Sequence, residues 1–304
     1  MRTVVPADEL RHDPGDEPYW NESFYLDFHT ATGDLGGYVR LGLYPNLGVS
    51  WYWACLVGEG RRLHIVVEHT APVPRPPSLE VRASGLWADI NVEEPLEHVS
   101  VGLEAFALAL DDPSDIYHEE PRGERVPFGL DLSWETDGTP FGYEITTRYE
   151  IPCRVSGEVL VGDETVAFDG YGQRDHSHGV RDWWADEWMW MSARLYQGQR
   201  LHAVGSDGSF GIGYRQDGGH LTHEFTSVAA RPTLGENDIP TGAVLDTDDG
   251  VVAIEPLAWA PVRLDSPRGE VAHFPRALCR VADQDHTGVG WIEFNQPPGF
   301  VLGR

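Results

Sequence analysis

Residues able to do chemistry crowd into one stretch, Asp169-Gly170-Tyr171-Gly172-Gln173-Arg174-Asp175-His176-Ser177-His178-Gly179-Val180-Arg181-Asp182-Trp183-Trp184, followed by Trp188-Met189-Trp190. The segment is too charged for an ordinary core strand and too aromatic for a solvent loop. If it stays extended, the two-residue period of a strand sends Arg174, His176 and His178 to one face, with Asp175 and Ser177 on the other. Three chemistries suit such a segment. Asp175 can orient or polarise His176, or be held protonated in an apolar pocket, as an acid-base group. The His-x-His pair can bind a metal if an acid, His202, His220 or His223 supplies a third ligand. Asp175, Arg181 and Asp182 can instead form a buried ion network that pins a loop, with His176 satisfied inside it. Trp188 and Trp190 share one side of the following strand, with Met189 and Met191 on the other. They either fill a barrel or wall a cavity, where each indole face stabilises a passing cation by roughly 0.5–2 kcal/mol.

The elements that position these residues read as nearly all β. Gly37–Tyr44, Val49–Trp53 and Leu63–Glu68, separated by Pro45-Asn46 and Gly58-Glu59-Gly60, form a meander. Further on, Gly157–Val161 turns at Gly162-Asp163 into Thr165–Phe168. The strand at Trp188–Leu195 turns into Arg200–Val204, and Gly211–Tyr214 turns at Asp217-Gly218-Gly219 into His220–Thr226. Two β-rich halves are expected, residues 1–150 and 151–304, with the Pro- and Gly-spaced stretch 121–142 as the crossing between them. The prolines between Pro72 and Pro77 mark a stiff external loop.

Composition narrows the function classes. The 22 basic residues among 304 are all Arg, which excludes Schiff-base chemistry, a pyridoxal phosphate anchor and a P-loop lysine. A net charge of −27, from 49 acidic residues, repels nucleic acid and anionic lipid. Three cysteines without a C-x-x-C give neither a disulfide framework nor a zinc-thiolate site. No apolar run has the length of a secretion signal core or a membrane span, so a cytoplasmic location without membrane insertion is expected. The G-x-S-x-G, H-E-x-x-H and helix-opening G-x-G-x-x-G motifs are missing too.

The run Gly170 to Trp183 resembles the G-x-x-D-H-[NS]-W-G signature of the lipocalin-like carotenoid 1,2-hydratase superfamily. That group includes kievitone hydratase-like and AttH-like proteins and lipocalin-like Diels-Alderases. Trp20-Asn21-Glu22-Ser23-Phe24-Tyr25 and Gly36-Gly37-Tyr38-Val39-Arg40 are similar to its actinobacterial branch. The resemblance implies two calycin-type antiparallel β-barrel or sandwich domains with a hydrophobic cavity at or near their junction. It carries His176 over to the motif histidine and Asp175 to the motif acid, and departs at His178, where the hydratases have Trp.

On this reading the protein is an acid-base enzyme without cofactor or metal: a hydratase, dehydratase or cyclase acting on an alkene of a hydrophobic isoprenoid, steroid-like or polyketide substrate. Asp175 or Asp182 protonates the alkene, His176 positions water or returns the proton, and Trp188 and Trp190 flank the cation. His178, Arg181, Trp183 and Tyr171 complete the substrate-binding set. A non-catalytic carrier of hydrophobic ligands and a pericyclase or isomerase use the same cavity. A monomer or homodimer is expected.

Overall fold

The structure is a computed structural model that describes residues 1–206, 210–235, 239–284 and 286–299. Its strands are β1 (Trp20–His29), β2 (Leu35–Tyr44), β3 (Val49–Gly58), β4 (Leu63–Pro72), β5 (Val81–Ala83), β6 (Leu86–Glu94), β7 (His98–Leu110), β8 (Glu124–Thr136), β9 (Phe141–Gly142), β10 (Arg148–Val161) and β11 (Glu164–Val180). After these come β12 (Trp188–Leu195), β13 (Arg200–Gly205), β14 (Gly211–Asp217), β15 (His220–Phe225), β16 (Val228–Leu234), β17 (Pro240–Thr247), β18 (Gly250–Trp259), β19 (Val262–Asp265), β20 (Val271–Phe274), β21 (Arg276–Asp283) and β22 (His286–Asn295).

Strands β1 to β11 make one antiparallel sheet, in which β1, β2, β3, β4, β7, β8, β10 and β11 close into a barrel through the β4–β7 pairing. Nine strands form the second sheet, in the order β15-β14-β13-β12-β22-β21-β18-β17-β16. It curls until β16 returns against β14, where Gly211 leaves room for the backbone of Val228. The meander and the hairpins lie where the sequence puts them. The crossing does not: stretch 121–142 contains β8, which pairs with β7 and β10 inside the barrel. The chain changes sheet between Val180 and Trp188, later than the expected boundary at residue 150, because β10 and β11 are needed to join β8 to β1. No helix among the described residues is long and apolar enough to cross a membrane.

Burial patterns follow from what each face meets. Strands β6 and β7 alternate because their outer face is wet, whereas β1 and β2 are buried at every position. One face of β1 and β2 lines the barrel, where Phe24, Leu26, Val39 and Leu41 join its core. The other face packs on the second sheet through Tyr25, Tyr38, Trp53, Trp190 and Trp291. Met189 and Met191 turn away into the core of the second sheet, as the strand period requires. At Gly170 and Gly172 a Cβ would strike the carbonyl oxygens of His29 and Asp27, so these glycines let β1 lie close against β11.

Aromatic rings pack the centre of the junction. Ring centroids lie 5.2 Å apart for Tyr25 and Trp190, 5.5 Å for Tyr38 and Trp291, and 5.8 Å for Trp53 and Trp183. Asp27 is fully buried there and accepts from Gln173 N (2.8 Å), Tyr25 Oη (3.1 Å) and, across the sheets, Ser192 Oγ (3.2 Å). Burial raises its carboxyl to about 7, against the opposing pull of those donors and Arg276. The folded state therefore keeps a proton that the unfolded chain sheds near pH 4, and stability contributed by Asp27 is lost as the pH rises from about 4 through 7. In thermal melts across this range the parent should lose Tm relative to Asp27→Asn as pH rises; a pH-independent difference would refute the assignment.

Candidate functional site

The N-terminal arm crosses the barrel mouth. It is held by the Arg2–Gly142 bridge, by Arg11 Nη1 on the carbonyl of Pro74 (2.7 Å), and by Glu9, which receives Tyr149 Oη at 2.5 Å and pairs with Arg174. This places His12 above β1 and β11, whose register sets Glu22 opposite His178 and Phe24 opposite His176. Glu22 Oε1 accepts from His12 N (3.0 Å), His12 Nδ1 (2.8 Å) and His176 Nε2 (3.0 Å). His176 stacks on Phe24 at 4.1 Å, and His178 stacks on His12 at 3.8 Å.

Burial alone would raise the Glu22 carboxyl, but the hydrogen bonds from His12 and His176 outweigh it and bring the group down to about 2. With the carboxylate ionised, both ring nitrogens facing it carry their protons. Whenever the His12 ring carries a single proton, that proton sits on Nδ1 and Nε2 holds the lone pair. The imidazoles open on a cleft of about 420 Å³ lined by His12, His176, His178, Asp8, Tyr149 and Ile145, among others. Glu22 and His176 are almost fully buried, while the His12 side chain is 28% exposed and so meets both the carboxylate and solvent.

Ligand atoms of His12, Glu22 and His176 all lie within 4.8 Å of one another, a two-histidine, one-carboxylate set of a kind that holds divalent metals. His178, the expected second ligand beside His176, is replaced in this set by His12.

The other sequence-derived residues separate. Asp175 points away from His176 into the junction, where Arg148 Nη2 holds it at 2.6 Å, so it does not orient the imidazole. Burial pushes its carboxyl up and Arg148 pulls it back. Arg148 also binds Glu150 (2.7 Å), a fully buried carboxylate that receives Trp190 Nε1 (3.0 Å), Gln173 Nε2 (3.0 Å) and Tyr143 Oη (3.3 Å). Trp190 therefore fills the junction rather than walling a cavity.

Asp182 lies outside this network: it caps a turn through Trp184 N (3.0 Å) and sits 3.6 Å from Arg268. Trp183 bonds Tyr44 Oη (2.9 Å), and Trp188 packs 5.3 Å from it. Tyr171, under Arg194 at 4.5 Å, is seven residues from His178, roughly 23 Å along the strand. Arg181 and His178 line a second cleft of about 220 Å³, which shares Tyr143, Thr146, Thr147 and His178 with the first. His12 and Glu22 were not singled out from the sequence; their signal, a lone histidine and a strand glutamate far from the motif, is visible only once β1 pairs with β11.

Fold and site together define a lipocalin-like architecture with a carboxylate–imidazole centre at a barrel mouth. The chain belongs to the family described as Domain of unknown function (DUF7064), whose model matches residues 5–298. No curated protein sequence matches it. Among solved structures it is similar to an AttH-like protein of Nitrosomonas europaea, at 17% identity and TM-score 0.63 over 99% of this chain and 100% of that one. Kievitone hydratase from Nectria haematococca has 13% identity and TM-score 0.58 over 97% and 95%. CghA, also solved with Sch210972, has 9% identity and TM-score 0.58 over 94% and 90%. These likenesses establish the shared fold.

Glu22→Gln leaves buried imidazole donors facing an amide and is expected to cost about 1–3 kcal/mol in urea unfolding at pH 7. The Glu22 contribution is complete above its unfolded value near 4.5 and lost as pH falls towards 2, so the variant's deficit should vanish in acid. A deficit that persists at pH 2 would contradict this origin. Asp182→Asn keeps the cap and should stay within about 0.5 kcal/mol of the parent.

Proposed function

We propose that the chain is an acid-base enzyme of the hydratase, dehydratase or cyclase kind, acting on a small amphipathic molecule in the cleft of His12, His176 and His178. The observation that carries this reading is the ionised, buried Glu22 shared by two imidazoles beside a cleft of ligand size. Glu22 fixes the His12 tautomer and balances the charge when His12 Nε2 takes a proton, the division of labour between orienting acid and imidazole in a triad. The fold shared with a hydratase and with CghA agrees with it.

Chemistry at this centre favours an activated alkene over an isolated one. Protonating an isolated alkene creates a tertiary cation that needs aromatic faces, each worth roughly 0.5–2 kcal/mol. The cleft is lined by Tyr143 and Tyr149 but not by Trp183, Trp188 or Trp190, the strongest cation-stabilising rings. An alkene conjugated to a carbonyl, or the corresponding β-hydroxy compound, needs only proton removal or return at carbon and oxygen, which an imidazole performs near neutral pH. An apolar substrate body fits the rim, where Ile145 is 62% exposed.

With such substrates, His12→Ala and Glu22→Gln should each lower kcat by about 10²-fold or more, with KM little changed and folding intact. Full turnover in His12→Ala would remove the imidazole from the mechanism. A ligand returned unchanged after prolonged incubation would mark a carrier, and a pH-independent rate a pericyclase. Dialysis against EDTA should leave kcat unaltered; loss restored by Zn²⁺ would reassign His12, Glu22 and His176 to a metal.

A further inference from the structure

The second cleft, on the junction side of β11, has a lining out of keeping with the rest of the chain. Asn21, Thr147, Arg148, Ser177, His178 and Arg181 are among its walls, and no Asp or Glu is among the described residues that line it. In a chain with 49 acidic against 22 basic residues, an opening of about 220 Å³ whose described walls carry arginines and no carboxylate is a local reversal of charge. Arg148 is already neutralised by Asp175 and Glu150. Arg181 is not: among the described residues no carboxylate lies within 4 Å of its guanidinium. Its side-chain partners are Ser177 Oγ at 3.1 Å and the faces of Trp183 (5.1 Å) and Trp188 (5.9 Å).

Arg40 stands behind it, 5.0 Å from the same Trp183 ring and 2% exposed, and neither of its terminal nitrogens has a hydrogen-bond partner among the described residues. Buried guanidinium groups are ordinarily paired, because removing their hydration costs more than ring faces return. Burial, Arg148 and Arg40 push Arg181 down to about 10, against the weaker opposing pull of Tyr44 and Asp175.

We propose that the Arg181 cleft binds the carboxylate group of an amphipathic substrate whose reacting end reaches the adjoining imidazole cleft. A planar carboxylate matches the guanidinium fork, and Ser177 and Asn21 offer further donors. Val180, Val204 and Phe210 line the same opening and suit an aliphatic body. The clefts share Tyr143, Thr146, Thr147 and His178, so one molecule can occupy both. The link to turnover rests on the function proposed above, but the binding itself does not.

Calorimetric titration of the full chain with octanoate, octanamide and acetate tests the proposal. Octanoate should bind at least tenfold more tightly than octanamide or acetate, since the amide lacks the charge and acetate lacks the body. R181Q should weaken octanoate roughly tenfold or more and leave octanamide unchanged. S177D places a carboxylate beside Arg181 and should abolish the preference for octanoate, which keeps the test decisive if R181Q fails to fold. Equal affinity for octanoate and octanamide, equal affinity for acetate, or unchanged octanoate binding in a folded variant would overturn it. The titration reads no turnover, so loss of anion binding in R181Q or S177D and loss of turnover in His12→Ala remain separate results.

Discussion

Strand β11 is buried on both faces over the stretch from Gln173 to Ser177, and most of the structure answers to that burden. A strand with two wet faces can carry any polar residue; here each polar side chain must find a partner in its own face. On the barrel side, Arg174 is answered by Glu9 and His176 by Glu22. Asp175 is answered by Arg148 on the junction side, and Gln173 by Glu150 and Tyr214. The partners come from the N-terminal arm, β1, β10 and β14, so satisfying one strand ties together the arm, the barrel and the second sheet. Removing a single partner strands a buried polar group at a cost of about 1–3 kcal/mol, enough to matter against ordinary protein stabilities.

The same alternation divides the chemistry. Adjacent residues Asp175 and His176 never meet, because the pleat turns them to opposite sides. The imidazole faces the barrel mouth, where the arm leaves a polar cleft, and the carboxylate faces a junction filled by tyrosine and tryptophan rings. Glu150 and Asp27 hold that junction by accepting donors from both sheets. A rigid seam between two curved sheets is what lets a half-exposed His12 and a buried Glu22 keep their mutual geometry.

Much of the fold was legible in the sequence. The meander from Gly37 and the hairpin at Gly162-Asp163 announce themselves through alternation and turn residues, and the Met/Trp alternation in β12 gave correct faces. The change of sheet was misplaced because the Pro and Gly residues around β8 look like a linker, and pairing partners are not written in local pattern. Trp190 shows a second limit: its side of the strand follows from period two, yet whether an indole walls a void or packs on Tyr25 depends on what the opposite sheet contributes. His176 was recognisable by its company, whereas His12 and Glu22 were hidden because their meeting with it is produced by the arm and by the β1–β11 register.

The central claim is that one ionised carboxylate is shared by two imidazoles at the barrel mouth. Nitrogen-15 NMR of the histidine side chains near neutral pH reads it directly. His12 should show a protonated Nδ1, and His176 a protonated Nε2, each in hydrogen-bond contact with the carboxylate, and both signals should change in Glu22→Gln. A His12 ring with a bare Nδ1, or histidine signals indifferent to that substitution, would contradict the account.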